Sequence, residues 1–254
     1  MKNQYFGDIR DLFKYDLIEF ILNELKPKRK SFTFIPMRTQ DDPENEEGNK
    51  RTFYKAWESY RPGTDNRKLL LFLKQYEDEK FKKRNIEDIA KYFERRQVQV
   101  KIHPKREPFK REDEFRKSYF DNIEDDLLST PLIFVDPDIG LQVEKSNEKH
   151  LLYRDVKSLY HNHHLGKDSI LMIYQHFPQN RNQKEYLPTG RAESLKEDEL
   201  KLKYLPPYIS DNEIFFIFLV IDRKRRKELC NILIEYRNRY KEFSKLEVGN
   251  VNYK

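Results

Sequence analysis

Pro131-Leu132-Ile133-Phe134-Val135-Asp136 is the stretch of sequence that decides the fold. It is an unbroken apolar run of strand length, and it leads directly into Pro137-Asp138-Ile139-Gly140. A continuous apolar run is typical of a parallel strand that is buried on both faces of its sheet. The stretch therefore predicts a parallel α/β sheet, with two carboxylates at the carboxyl end of one strand.

The segments on either side repeat this pattern of strands and helices. Further strands are predicted at Ser31–Pro36, Gln97–His103, Ser169–Tyr174 and Glu213–Ile221. Helices are predicted at Leu12–Leu25, within Arg67–Arg96, and at Glu112–Ile123, Leu151–Leu165 and Lys224–Phe243. Alternating strands and helices predict right-handed crossovers and a doubly wound, mostly parallel sheet. We expect one Rossmann-like domain over residues 1–254, similar to class I methyltransferases, with the polar region 179–206 as an inserted flap.

Composition limits the class of protein. Charged residues make up 37% and hydrophobic residues 37% of the chain, but 14% aromatic residues still supply a core. The net charge of +6 is compatible with a nucleic-acid partner without requiring one. Cys230 is the only cysteine, so the chain has no internal disulfide and no thiolate zinc site. Without an apolar leader or a membrane-length run, we expect a cytoplasmic protein with no membrane partner. The sequence leaves the oligomeric state open.

Absent motifs exclude several enzyme classes. The seven glycines are widely separated, so neither a dinucleotide-binding G-x-G-x-x-G nor a phosphate-binding P-loop is present. The H-E-x-x-H, G-x-S-x-G and kinase signatures are absent as well.

The strongest candidate site lies at the ends of two predicted strands. Asp136 and Asp138 follow one strand, and Tyr174 and His176 follow the next. Ligands of doubly wound folds bind beyond the carboxyl ends of the strands. Two carboxylates there are able to accept hydrogen bonds from an exocyclic amine or to bind Mg²⁺. Asp136, Asp138, His176 and Tyr174 are therefore the candidate catalytic residues.

A second candidate segment begins the chain. In Gly7-Asp8-Ile9-Arg10-Asp11-Leu12-Phe13-Lys14-Tyr15, Asp8 suits the N-cap of a helix, and Lys14 is able to approach a carboxylate or phosphate. The run resembles the N-terminal Gly-Asn-x-x-Asp-x-x-Lys-His motif of the ribosomal RNA large-subunit adenine-N6 methyltransferase J family. A closer group of bacterial sequences is also suspected, with FGD…KY, DPD-G and YQHF motifs.

The resemblance covers most of the chain as short motifs and implies S-adenosylmethionine as cofactor. In that family a cofactor-binding strand follows the first helix, and a later strand ends in Asp-Pro-Pro-Tyr. Ser31–Pro36 and Asp136-Pro137-Asp138 take the corresponding places here. This chain has Pro36–Asp42 (PMRTQDD) where the family has a glycine-rich loop, and Asp138-Ile139 where it has Pro-Tyr. The residues expected on the cofactor side are Gly7, Asp8, Asp11, Lys14 and Pro36.

Three hypotheses of different classes follow. The first is a methyltransferase-fold protein that acts on or binds nucleic acid. The second is a metal-dependent nuclease in which Asp136, Asp138 and His176 use Mg²⁺. The third is a non-catalytic Rossmann-like interaction module of a bacterial phage-defence or mobile-element system, to which the missing glycine loop points.

Overall fold

The computed structural model describes residues 2–42, 58, 60–77, 84–103, 109–110, 112–177 and 182–252 of the chain. The first residues of the predicted flap, 179–181, lie outside this part. The strands are β1 (Ser31–Pro36), β2 (Gln99–Ile102), β3 (Leu132–Asp136), β4 (Gly140–Leu141), β5 (His150–Leu151), β6 (Ile170–His176), β7 (Tyr208–Ser210), β8 (Ile214–Val220) and β9 (Glu247–Gly249). The α-helices are α1 (Ile9–Leu25), α2 (Arg67–Lys74), α3 (Ile89–Glu94), α4 (Asp113–Asp121), α5 (Asp125–Leu128), α6 (Tyr153–Tyr160), α7 (Pro188–Ser194) and α8 (Arg223–Arg239).

A seven-stranded mixed sheet forms the centre of the fold, in the order β2-β1-β3-β6-β8-β7-β9. The pairs β1–β2, β1–β3 and β3–β6 are parallel, whereas β8 is antiparallel to both β6 and β7, and β9 is antiparallel to β7. Most strands therefore run in one direction, and β8 and β9 run in the other. The predicted fold class, an α/β Rossmann-like domain with a mostly parallel sheet, is confirmed.

Alternation along the central strands fills one core on each face of the sheet. Phe32 and Phe34 of β1 point into the core beneath α1, α2, α3 and α8, and Ile35 points into the core beneath α4 and α6. Successive side chains of a strand face opposite sides, so a strand that is apolar throughout needs cover on both sides. The continuous apolar runs in the sequence are explained by this two-sided burial.

The order of the strands places a crevice at Asp136. From β1 the chain crosses to β2 on one side, and it then returns to β3 on the other side of β1. Pro36 and Asp136, the last residues of β1 and β3, are partners in the parallel ladder. In doubly wound folds, ligands bind at such a reversal point, outside the carboxyl ends of the strands.

Several elements differ from the sequence prediction. The helix predicted at Leu151–Leu165 is shorter, because β5 precedes it and α6 ends at Tyr160. Beyond that end, the Asn162 side chain accepts a hydrogen bond from the His164 amide at 2.9 Å, a turn that ends helices. The short strands β4, β5, β7 and β9 were not predicted. In the described part of the chain, no helix combines the length and apolarity needed to cross a membrane.

Candidate functional site

The first turn of α1 is built by the N-terminal motif. The Asp8 side chain accepts a hydrogen bond from the Arg10 amide and caps the helix. The Gly7 amide donates to Asp11 Oδ2 at 2.9 Å. Gly7 has a positive φ of 83°, and a Cβ there would lie 2.7 Å from Tyr76 Cβ, so only glycine suits this position. Gly7 and Asp8 thus have structural contacts that fix where α1 begins.

Lys14, in the second turn of α1, lies at the end of β3. Lys14 Nζ lies 3.0 Å from Asp136 Oδ2 and 3.4 Å from Asp11 Oδ1. The side chains of all three residues are at most 6% exposed. The sequence predicted that Lys14 would approach an anionic group, and the structure places it on Asp136.

Burial and charge shift the protonation of this triad. Burial raises the pKa of Asp11 to about 7, although the ammonium of Lys14 opposes the shift. Burial also raises the pKa of Asp136, again against the effect of Lys14. For Lys14 itself burial acts downward, but the carboxylates of Asp136 and Asp11 outweigh it and raise the pKa. Two buried acids therefore share one cation, an arrangement common at functional sites.

The neighbouring strand β6 adds Tyr174 and His176 to the same edge. Lys14 Nζ lies 4.1 Å from the centre of the Tyr174 ring, and the Tyr174 hydroxyl lies 3.0 Å from His176 Nε2. Burial raises the pKa of Tyr174, whereas burial and the charges of Arg10 and Lys14 lower the pKa of His176 to about 3. At neutral pH a protonated phenol thus shares a hydrogen bond with a neutral imidazole. Since Tyr174 is buried beneath Lys14, its ring is not exposed for stacking on a base.

Asp138 lies beyond β3 and contacts the loop that follows β1. The Thr39 hydroxyl donates to Asp138 Oδ2 at 2.9 Å. Burial raises the pKa of Asp138, but nearby positive charge and the Thr39 hydroxyl more than offset this, so the pKa is lowered. Asp138 is therefore an ionised carboxylate next to the Lys14–Asp136 pair.

The segment after β1 has no glycine and is held by hydrogen bonds. The Pro36 carbonyl accepts a hydrogen bond from the Tyr119 hydroxyl at 2.7 Å, and the Met37 amide donates to the Asp136 carbonyl. Farther along, Asn3 Nδ2 donates to Asp41 Oδ2 at 3.2 Å. Pro36 is thus a neighbour of Asp136, but its own carbonyl is already used.

One residue of the site was missed by sequence reasoning. Tyr15 is completely buried, and its hydroxyl has no hydrogen-bond partner within the described part of the structure. Burial raises its pKa, and the negative charges of Asp11 and Asp136 add to the effect. Nothing in the sequence distinguishes Tyr15 from a core tyrosine, because its unpaired hydroxyl is visible only in three dimensions.

The site offers one cation and three carboxylates that could hold a cofactor or a metal. Lys14 offers a cation, and Asp11, Asp136 and Asp138 offer carboxylates. A group of three or more histidine, cysteine, aspartate or glutamate side chains with metal-binding geometry is not found in the described ranges. At Asp136 the counter-charge is the ammonium of Lys14.

No protein-family model matches the chain, and the search of curated proteins gave no significant match. One similar solved structure is the crystal structure of protein LPL1258 from Legionella pneumophila, described as a DUF519 protein. It is 12% identical, with a TM-score of 0.46, and the match covers 96% of each chain.

Proposed function

We propose that this chain is an S-adenosylmethionine-dependent methyltransferase that acts on nucleic acid. The observation that carries the proposal is the contact between Lys14 and Asp136. These residues belong to the two segments that resemble the adenine-N6 methyltransferase J family, and they meet at the reversal point of the sheet. Ligands of this fold class bind at that point.

The charges at the edge suit the amino-acid end of the cofactor. In this proposal Lys14 binds its carboxylate and Asp11 its ammonium group, with Gly7 and Asp8 fixing the start of the helix that carries both. The buried hydroxyl of Tyr15 supports the fit, because an unpaired buried polar group is costly and a ligand would satisfy it. When bound, the cofactor supplies the methyl group.

The site has fewer groups that suit the adenosine part of the cofactor. In dinucleotide-binding folds a carboxylate after the second strand binds the ribose. Here β2 is followed by His103, whose Nε2 lies 2.8 Å from the Tyr119 carbonyl oxygen. The Pro36 carbonyl is bonded to the same tyrosine. The cofactor would therefore be held mainly through its charged amino-acid end.

Asp136 and Asp138 are the groups that would act on the substrate. A carboxylate at a strand end accepts hydrogen bonds from an exocyclic amine and so holds its nitrogen in place. Tyr174 and His176 act as positioning residues, because Tyr174 packs against the Lys14 ammonium and hydrogen bonds to His176. A flipped base needs an aromatic or apolar neighbour. Ile139, which is 38% exposed directly after Asp138, is the apolar residue at that rim.

The test is a calorimetric titration of the full chain with S-adenosylmethionine and its demethylated product, with and without nucleic acid. We expect micromolar binding, and we expect Lys14→Met to weaken it at least tenfold. Lys91→Met is the matched control, because Lys91 also pairs with an aspartate on a helix, yet its side chain is 63% exposed. If wild type binds neither compound under either condition, the proposal is wrong.

A further inference from the structure

A pocket lies beside the candidate site. It has a volume of about 410 Å³ and adjoins His176 and Ile139 at the carboxyl edge of the sheet. Its wall includes Arg191 from α7 and Lys145 from the segment between β4 and β5. The functional site described above uses neither of these two cations.

Arg191 is a buried cation with neutral partners. Arg191 is 2% exposed, and its hydrogen bonds in the described structure go to carbonyl and hydroxyl oxygens, not to a carboxylate. Its Nη1 atom donates to the Gln142 carbonyl at 2.6 Å and to the Tyr153 hydroxyl at 2.8 Å. Its Nη2 atom donates to the Leu141 carbonyl at 3.3 Å, and the Tyr186 ring lies 4.6 Å from its Cζ atom. The positive charge therefore lacks a counter-ion within the described structure.

A comparison with Arg116 shows why this is unusual. Arg116 is equally buried, but it pairs with Asp155 at 2.8 Å. Burial of a charge without a partner is costly, so buried arginines normally have an acid or a bound anion. Arg191 is buried to the same extent, but no acidic side chain pairs with it in the described structure.

Arg191 keeps donor capacity that the protein does not use. A guanidinium has five N–H groups. Three hydrogen bonds are formed, two by Nη1 and one by Nη2. Nε has no hydrogen-bond partner in the described part of the protein. The N–H groups of a guanidinium are well suited to bind phosphate oxygens.

We propose that this pocket binds a phosphate group of the nucleic-acid substrate, with Arg191 as the main cation and Lys145 at the rim. The inference rests on the proposed function, because it assigns the phosphate to the nucleotide whose base lies at Asp136. His176 and Ile139 belong to both sites, so one nucleotide is able to reach both. Glu144 also lines the pocket, but it is exposed, and in the described part of the chain no ion pair joins it to Arg191.

The experiment measures binding of inorganic phosphate, adenosine 5′-monophosphate and adenosine to the full chain by calorimetry. We expect the monophosphate to bind at least about tenfold more tightly than adenosine, since charge-assisted hydrogen bonds from a guanidinium to a phosphate are strong. Arg191→Gln should remove this difference. Equal binding of the two compounds by wild type, or an unchanged preference in a folded Arg191→Gln variant, would overturn the inference.

A second variant covers the case in which Arg191→Gln does not fold. Lys145→Glu reverses an exposed charge at the rim and should weaken phosphate binding severalfold. Lys157→Glu makes the same change on the exposed side of α6, outside the pocket, and should leave binding unchanged. An identical response of these two variants would also count against the site. Phosphate binding without S-adenosylmethionine binding would sink the methyltransferase proposal alone, and the reverse result would sink only this inference.

Discussion

Lys14 Nζ lies 3.0 Å from Asp136 Oδ2, although the two residues are 122 positions apart in the chain. The contact joins the first helix to the end of the central strand β3. Because Asp11 also lies within 3.4 Å, one ammonium neutralises part of the charge of two buried acids. We therefore expect the stability of the fold to depend on this contact.

Removal of Lys14 should destabilise the protein strongly. Lys14→Met leaves Asp11 and Asp136 buried without a cation, and loss of one partner of a buried pair costs about 3–5 kcal/mol. The control Lys91→Met breaks an exposed pair and should cost less than about 1 kcal/mol. Urea unfolding at neutral pH measures both changes. Equal losses in the two variants would mean that the buried contact contributes no more than a surface pair.

The pKa of Asp11 should make stability depend on pH. Because its pKa is about 7 in the folded state and 3.8 ordinarily, the folded chain holds a proton that the unfolded chain releases. The contribution of this group to the free energy of unfolding therefore falls as pH rises from about 4 to 7. Asp11→Asn removes this dependence, so the variant should gain stability relative to wild type over that range. A difference that stays constant with pH in denaturant titrations would contradict the raised pKa.

Two buried tyrosines should respond differently to loss of their hydroxyls. The Tyr236 hydroxyl donates to Asp16 Oδ2 at 2.8 Å, so Tyr236→Phe should cost about 1–3 kcal/mol. The Tyr15 hydroxyl has no described partner, so Tyr15→Phe should leave stability unchanged or raise it. If a ligand uses that hydroxyl, the same variant should bind S-adenosylmethionine more weakly. A large loss of stability in Tyr15→Phe would show that its hydroxyl is already bonded in the free protein.

The nuclease hypothesis, unlike the methyltransferase proposal, predicts an activity that requires Mg²⁺. In the proposed function the positive charge beside Asp136 is the Lys14 ammonium and not a metal ion, so we expect no Mg²⁺-dependent cleavage of RNA or DNA. Gel assays with and without Mg²⁺ test this. Cleavage that Asp138→Asn abolishes without unfolding the protein would favour the nuclease over the methyltransferase.

The interaction-module hypothesis is tested with the same edge of the sheet. Asp136→Ala, Asp138→Ala and His176→Ala should each impair the biological effect of the protein if the edge carries chemistry. Unchanged effects in all three folded variants would favour a non-catalytic module.

Much of the sheet could be predicted because its signal is local. The apolar runs at β3, β6 and β8 and the short β-rich run at β1 are enough to identify strands without tertiary information. The short strands β7 and β9 have no such run, and α6 ends at Tyr160, well before Gly166, the glycine expected to stop it. These boundaries therefore required the structure.

The sequence by itself determined the α/β class and the position of Asp136, Asp138, Tyr174 and His176, because neighbouring parallel strands end at one edge of a sheet. Only the tertiary structure decided which groups meet there. Helix α1 has four charged residues of the kind that normally face solvent, yet all four are buried, because α1 is covered by the sheet, α2 and α8. These residues are Asp11, Lys14, Asp16 and Glu19. Likewise, only the packing of the layers shows that Arg116 forms an ion pair with Asp155, whereas Arg191 pairs with no acid in the described structure. Periodicity shows which residues can be buried, but partners far apart in the chain are chosen by the way the layers pack.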